Sequence, residues 1–298
     1  MLPVERTKNL STGSLRFIEM NMIDFSVLMA VYGKDNPSFY RIALDSVTDG
    51  QTLKPSQVVI VFDGPVPQEI ESITLDAELR NPHIVFTIVK QSVNQGLAAA
   101  LNAGLEKCSF EYIARMDSDD YAVPDRFEKQ IAFLSSNSQI DVLGGTIAEF
   151  VDNPKQTKSV RSVGLSHEMI VKMAKHRTPL NHMTVIYKKS KVLAVGGYNV
   201  EYGKLEDYKL WVDMIANGCK FANLNDVLVH MRVGNGLILR RSNKREIHDW
   251  DKLQKDLLDA HIINRFDSYA NRLYIRAFTY TPSFLKKIAY HFLLRAKV

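Results

Sequence analysis

From Phe25 onward the chain alternates short apolar runs with amphipathic stretches. The runs "FSVLMAVY", "QVVIVFD", "HIVFTIV" and "EYIARMD" are rich in Val, Ile and aromatics. Each is apolar at successive positions, as a strand covered on both faces must be. Between them lie "PSFYRIALDSVTDG", "VPQEIESITLDAELR" and "QGLAAALNAGLEKC". These carry apolar residues at helical spacing and begin or end near Pro or Gly. The rhythm β-α-β-α-β-α-β predicts an α/β fold: a doubly wound, mostly parallel central sheet with helices on both faces.

A second segment, from about Asp141 to Arg232, mixes strand-like "DVLGGTIAEFV", "HMTVIYKK" and "DVLVHMRV" with helix-like "SHEMIVKMAKH" and "EDYKLWVDMIANG". No linker separates the two halves. The pattern therefore predicts an N-terminal extension over residues 1–24 and one continuous domain over 25–241. That domain divides into two halves, 25–120 and 121–241, and a basic helical region follows over 242–298.

At 298 residues with 46% hydrophobic and 24% charged positions, the chain is long enough for a sizeable core and is not a disordered tail. Lys and Arg exceed Asp and Glu by 38 to 33, an excess that thickens after about residue 230. This permits an anionic partner without demanding one, and nothing in it points to nucleic acid. Cys108 and Cys219 lie far apart with no metal-ligand spacing, which fits a reducing compartment and disfavours a disulfide framework or a zinc site. No run of ~20 apolar residues spans a bilayer, and "MLPVERTKNLSTGS" lacks the apolar core of a secretion signal. The expected location is cytoplasmic.

In open α/β sheets ligands bind beyond the carboxyl ends of the strands. Three polar clusters fall there: Tyr32 to Asp35, Asp63-Gly64, and the acidic turn Asp117-Ser118-Asp119-Asp120. Carboxylates this close repel unless a shared cation or proton offsets the repulsion. Hard oxygen ligands in a turn suit Mg²⁺ or Mn²⁺, and Mg²⁺ usually bridges one or two carboxylates to substrate phosphates. The alternative is a solvated acidic turn favouring the next helix N-terminus. A calcium loop of EF-hand type fits worse, because Ala122 replaces its turn glycine and a strand precedes the turn.

The motifs "SVLMAVYGKDN", "VVIVFDG", "NQGLAAALNAGL", "RMDSDD", "VGGYN" and "LEDYKLW" occur in one order over roughly residues 25–232. In these the chain resembles the family 2 glycosyltransferases of GT-A fold, of the bacterial polysaccharide-building type. The resemblance implies that Asp117 contacts the ribose and that Asp119 ligates the metal holding a sugar-nucleotide diphosphate, with Asp117 beside it. It further implies that Asp63 takes the uracil N3–H, although Phe62 stands where the family usually has an acidic residue. A turn-forming Asp-Gly is the alternative at that place.

The same resemblance puts Ala30 and Tyr32 around the uracil ring, with a core Ala and a surface Tyr as the alternative, and Asn94, Gly96 and Asn102 on the nucleotide side. Ordinary helix–sheet packing explains the alanines of that helix equally well. Glu206 joins the donor set. Asp207 becomes the general base that takes the acceptor hydroxyl's proton, where the local pattern alone would read as a helix-start carboxylate. His182, heading a predicted strand, is placed on the acceptor side, with a strand-edge histidine as alternative. Arg240, with Arg232 and Arg241, flanks a glycine-containing loop that in relatives closes over the diphosphate, with a solvated basic loop as the alternative.

The implied reaction is an inverting, metal-dependent transfer of a hexose from a UDP-sugar to a polyprenyl-diphosphate-linked glycan acceptor, in O-antigen, capsule or exopolysaccharide assembly. In the tail "SFLKKIAYHFLLRAKV", Phe284, Ile288 and Phe292 share one helical face rimmed by Lys286, Lys287, Arg295 and Lys297. That suits either an anionic membrane surface or packing on the domain. Two rival classes remain: a sugar-nucleotide nucleotidyltransferase, which should show a Gly-rich loop after the first strand where "VYGKDN" offers one Gly, and a non-catalytic glycan-binding protein.

Overall fold

The computed structural model describes residues 23–233, 244–281 and 296–297. Arg240 and Arg241, and the tail residues Phe284 to Arg295, lie outside the described residues. The first half follows the predicted alternation: β1 (Phe25–Tyr32), α1 (Pro37–Val47), β2 (Gln57–Asp63), α2 (Gln68–Arg80), β3 (Val85–Lys90), α3 (Leu97–Lys107) and β4 (Tyr112–Met116). These strands pair in parallel in the order β3-β2-β1-β4.

Local chemistry sets the boundaries. The Asn36 side chain accepts from the backbone N–H of Ser38 (2.9 Å) and Phe39 (3.3 Å), and Pro37 supplies a first-turn residue needing no partner for an N–H. Side-chain alternation then divides the core between the two sheet faces. Val27, Met29, Val58 and Ile60 face α1, α2 and α4 (Arg126–Ser136), whereas Leu28, Val59 and Val61 face α3 and α7 (Glu206–Ala216). The central strands β1 and β2 are thus covered on both sides. The edge strand β3 is not: its residues are half-buried or exposed, so the continuous apolar run "HIVFTIV" does not mark a strand covered on both faces.

The second half is mixed. It contains β5 (Tyr121–Ala122), β6 (Val142–Phe150), β7 (Ser159–Arg161), α5 (His167–Ala174), β8 (Ile186–Lys188), α6 (Lys189–Ala194) and β9 (Phe221–Arg232). Strand β8 lies antiparallel between β4 and β6, while β7 takes the far end of the same edge of β6. On the other edge β9 runs parallel to β6, with register shifts around Thr146, and continues as an antiparallel partner of β5. Backbone pairing from β4 through β8 to β6 makes the halves one continuous sheet.

Two further helices, α8 (Lys244–Asp259) and α9 (Arg265–Tyr280), form a hairpin, and the two-residue β10 (Ala296–Lys297) pairs with β7. Leu253, Leu257, Ile262 and Ile263 from this region bury against Tyr202, Tyr208 and Val212. The hairpin is therefore anchored beside α7, the helix that begins with Glu206 and Asp207.

Candidate active site at the carboxyl ends of the strands

The carboxyl ends of β1, β2 and β4 open on a cleft of about 330 Å³ lined by Ala30, Tyr32, Asp35, Asp63, Asn94, Gly96, Leu97, Asp117 and Ser118. Six of the residues singled out from the sequence meet here. Asp63 is held by its own neighbourhood: its carboxylate accepts the backbone N–H of Gln95 (2.7 Å) and Gly96 (3.0 Å), and Asn94 Nδ2 donates to its carbonyl (3.2 Å). Gly64 makes this possible, with φ of +82° and space for a Cβ only 2.6 Å from Asn94 N. Asp63 therefore fixes the entrance to α3, and each of its oxygens retains a second lone pair.

The acidic turn is built on buried cations. Arg115, in the middle of β4, is 2% exposed and ion-pairs with Asp117. Its Nε and Nη1 have no partner within the protein. Behind it Arg126 donates to the Arg115 carbonyl (2.8 Å) and to Gln130 (3.1 Å), and burial followed by repulsion from Arg115 lowers its pKa to about 9. Asp120 is buried in the joint between β4 and β9, where its Oδ1 accepts the Arg232 N–H (2.8 Å). Arg232 in turn donates to the Asp119 carbonyl (3.0 Å) and lies between the rings of Phe39 and Phe150.

On the cleft side, Asp35 joins Asp117 and Asp119. Its Oδ2 accepts from Ser118 Oγ (2.8 Å) and Tyr32 N (3.2 Å). Loss of surrounding water, then the charges of Asp117 and Asp35, push Asp119 up to about 6 against the pull of Arg115 and Arg232. Asp35 is raised as well, mainly by burial.

At the head of α7, Asp207 Oδ1 accepts the Tyr208 N–H (2.6 Å) and Oδ2 accepts from Thr178 Oγ1 (3.3 Å). Its pKa is raised by burial, with the Tyr208 N–H, Arg115, Thr178 and Arg161 opposing. Adjacent Glu206 is pushed up to about 8 by burial and by Asp207, and Asp117 adds to the same push; Glu206 Oε2 has no partner within the protein. One guanidinium, that of Arg115, thus interacts with the carboxylates of both Asp117 and the Glu206-Asp207 pair.

The remaining candidates take other positions. Asn102 spans to the "VGGYN" turn, donating to the Tyr198 carbonyl (2.7 Å) and accepting the Tyr198 N–H (2.8 Å), so both its polar atoms are engaged there. His182 does not head a strand; it opens the 3-10 turn His182–Thr184 ahead of β8. Its Nε2 pairs with Tyr198 Oη at 2.9 Å, its ring packs near Trp211, and burial followed by Arg115 drives its pKa well down, leaving it neutral. Asp35 and Ser118 enter the sequence reading only as members of polar clusters, and Arg115 and Thr178 do not enter it. The signal for Arg115 was present, a lone cation inside the apolar run "YIARM". For Thr178 there was none, since its role depends on a contact across 29 residues.

This sheet, with a polar cleft and an acidic turn at its carboxyl edge, is the GT-A fold, and the match extends to sequence. Residues 26–193 match the family described as Glycosyl transferase family 2, and the chain belongs to it. It is a glycosyltransferase. Over 217 residues it is 44% identical to an uncharacterized glycosyltransferase of Haemophilus influenzae, covering 73% of this chain and 79% of that one. Over 256 residues it is 38% identical to the UDP-Gal:alpha-D-GlcNAc-diphosphoundecaprenol beta-1,3-galactosyltransferase of Escherichia coli, covering 85% and 90% respectively. Among solved structures, the mannosyltransferase PcManGT of Pyrobaculum calidifontis, in complex with GDP-Man and Mn²⁺, superposes with a TM-score of 0.59 at 16% identity, covering 87% of this chain and 70% of that one.

Proposed function

We propose that this protein is an inverting, metal-dependent transferase that moves a hexose from a UDP-sugar to a hydroxyl of a polyprenyl-diphosphate-linked glycan during surface polysaccharide assembly. The observation that carries this is the placing of two carboxylate groups, the Asp35-Asp117-Asp119 cluster and the Glu206-Asp207 pair, around one buried guanidinium beside a nucleotide-sized cleft. The Escherichia coli relative, named for a UDP-Gal donor and a GlcNAc-diphosphoundecaprenol acceptor, supports the choice of both substrates.

The donor set fits a divalent cation. Burial and then the like charges of Asp117 and Asp35 raise Asp119; a cation would offset that repulsion, and all ligands on offer are hard oxygens. Among the described residues no group of three His, Cys, Asp or Glu could hold an ion unaided. In this reading Mg²⁺ or Mn²⁺ would be held by Asp119, with Asp117 beside it, and completed by substrate phosphates and water. When bound, the ion would supply positive charge to the departing diphosphate. Asp63, Ala30, Tyr32, Asn94 and Gly96 receive the uridine in this reading.

The chain's own residues account for the other end of the reaction. The acceptor oxygen attacks the anomeric carbon, the bond from that carbon to the UDP oxygen breaks, and the hydroxyl proton passes to Asp207. Such a positioned base contributes ~10²–10⁴-fold. The raised pKa of Asp207 makes it a stronger base than a free aspartate, and Tyr208 N–H and Thr178 fix its two oxygens. Because a single displacement uses the opposite face of the sugar, the configuration inverts. The enzyme would work at the cytoplasmic side of the membrane that carries its acceptor; among the described residues no helix is long and apolar enough to cross a membrane.

Titration calorimetry of UDP, with and without Mn²⁺, tests the donor half. Binding that strengthens with Mn²⁺ in the native protein and loses this dependence in Asp119→Ala is expected. Metal-dependent binding retained in Asp119→Ala would remove the assignment. A screen of UDP-Glc, UDP-Gal, UDP-GlcNAc and UDP-GalNAc for metal-dependent UDP release then selects the hexose.

A further inference from the structure

Helix α9 presents to solvent a face that a water-soluble surface does not require. Phe266, Tyr269, Leu273, Tyr274 and Tyr280 are 58–78% exposed. Their spacing of three and four residues places most of them on one stripe, with Ala270 and Ala277 exposed between. A contiguous aromatic stripe of this kind marks an interaction surface. The opposite face is fully engaged: Asn271 donates to the Lys175 carbonyl (2.7 Å) and pairs with His176 Nδ1 (2.9 Å), and Arg276 binds Asp251 of α8 (2.6 Å). The helix is therefore rigidly seated with its aromatic side outward.

We propose that this face of α9 docks on an anionic lipid bilayer surface. The proposal extends the reading that the acceptor is lipid-linked, and two observations choose the lipid. First, charge is segregated towards this end of the chain. In the sequence, residues 265–298 carry seven Lys and Arg against one Asp; Arg272 and Arg276 are paired with Asp251 of α8, and the other five still exceed that one Asp. Cationic sequence adjoining an apolar helix favours anionic headgroups. Second, the stripe is mainly Tyr and Phe, not Leu, Ile and Val. Rings with an apolar body and a polar tip suit the boundary between acyl chains and water.

The seating of α9 gives the docking a consequence. The segment that Asn271 holds, Lys175-His176, leads directly to Thr178, whose hydroxyl meets Asp207. Exposed Lys172 and Arg177 lie on the same stretch. A bilayer under α9 would thus hold the proton acceptor at a fixed place relative to lipid-anchored phosphates.

The test is co-sedimentation of the full-length protein, without donor or acceptor, with vesicles of phosphatidylcholine alone or mixed with phosphatidylglycerol. Binding to the phosphatidylglycerol vesicles, weakened by added salt, is expected. The double variant Phe266→Ser, Leu273→Ser should bind about tenfold more weakly or worse, since two buried apolar side chains are lost. Its melting temperature and its UDP release from soluble donor should match those of the native protein. Native protein that ignores anionic vesicles, or a double variant that binds them as well as the native protein, overturns the proposal. So does a lowered melting temperature or a lost dimer with unchanged vesicle binding, because the face then covers another part of the chain or a second copy. Vesicle binding without UDP-sugar turnover would uphold the surface and count against the donor reading alone.

Discussion

Single residues carry the chemistry, and their protonation states separate their roles. In the proposed reaction Asp207 must be ionised to accept a proton, so transfer should fall as pH drops through its raised pKa. Asp207→Asn should keep UDP affinity and lose ~10²–10⁴ in turnover. Glu206 behaves differently. With a folded pKa of about 8 against 4.5 for the free group, it is mostly protonated in the folded protein at neutral pH. Its contribution to stability is complete below the unfolded value and is lost as pH rises through the folded one. The donor-free protein should therefore melt at progressively lower temperature between about pH 5 and pH 9, and Glu206→Gln should flatten that slope. A Glu206→Gln profile identical to the native one would contradict the buried, protonated carboxyl. The acidic residues of this site were legible in the sequence because carboxylates at strand ends and helix starts form short motifs. Arg115, which interacts with both groups, was not read, since an arginine inside an apolar strand gains meaning only when the carboxylates around it are seen.

At the scale of elements, the small residues of α3 show packing and ligand approach sharing one sequence. Gly96 begins the helix at the cleft, whereas Gly104 meets the sheet: a Cβ there would lie 2.4 Å from Leu28 Cδ1 and 2.7 Å from Val61 Cγ2. Gly104→Val should cost about 1–3 kcal/mol through overpacking, readable in a urea melt, while leaving UDP affinity of the folded fraction intact. Asn102 ties α3 to the turn before α7 through both its polar atoms. Those bonds link the helix at the cleft to the region leading into the helix bearing Asp207. The alternation of β1 to β4 was readable because apolar periodicity decides it locally. The antiparallel insertion of β8 and the turn at His182 were not, because three-residue elements lack a period and are set by the edge of β6 they must fill.

The whole molecule divides its labour along the sheet. The parallel half brings three strand ends to a cleft, as open α/β sheets do, and the mixed half folds β9 and α7 back so that a second set of carboxylates feels the charge of the same buried guanidinium. The helical hairpin then fixes α7 from behind and turns an aromatic face outward. Family membership follows from sequence and fold together; the proposed ion and proton acceptor rest on the arrangement of the two carboxylate groups, and the proposed donor and glycan acceptor on a relative's substrates. The most direct test is UDP release from a UDP-sugar by purified native protein and by Asp207→Asn, each with Mn²⁺ and a GlcNAc-diphospho-lipid acceptor, with donor binding measured in parallel. Metal-dependent transfer in the native protein, nearly abolished in a variant that binds UDP equally well, is the predicted result. Unimpaired turnover by Asp207→Asn would contradict the account.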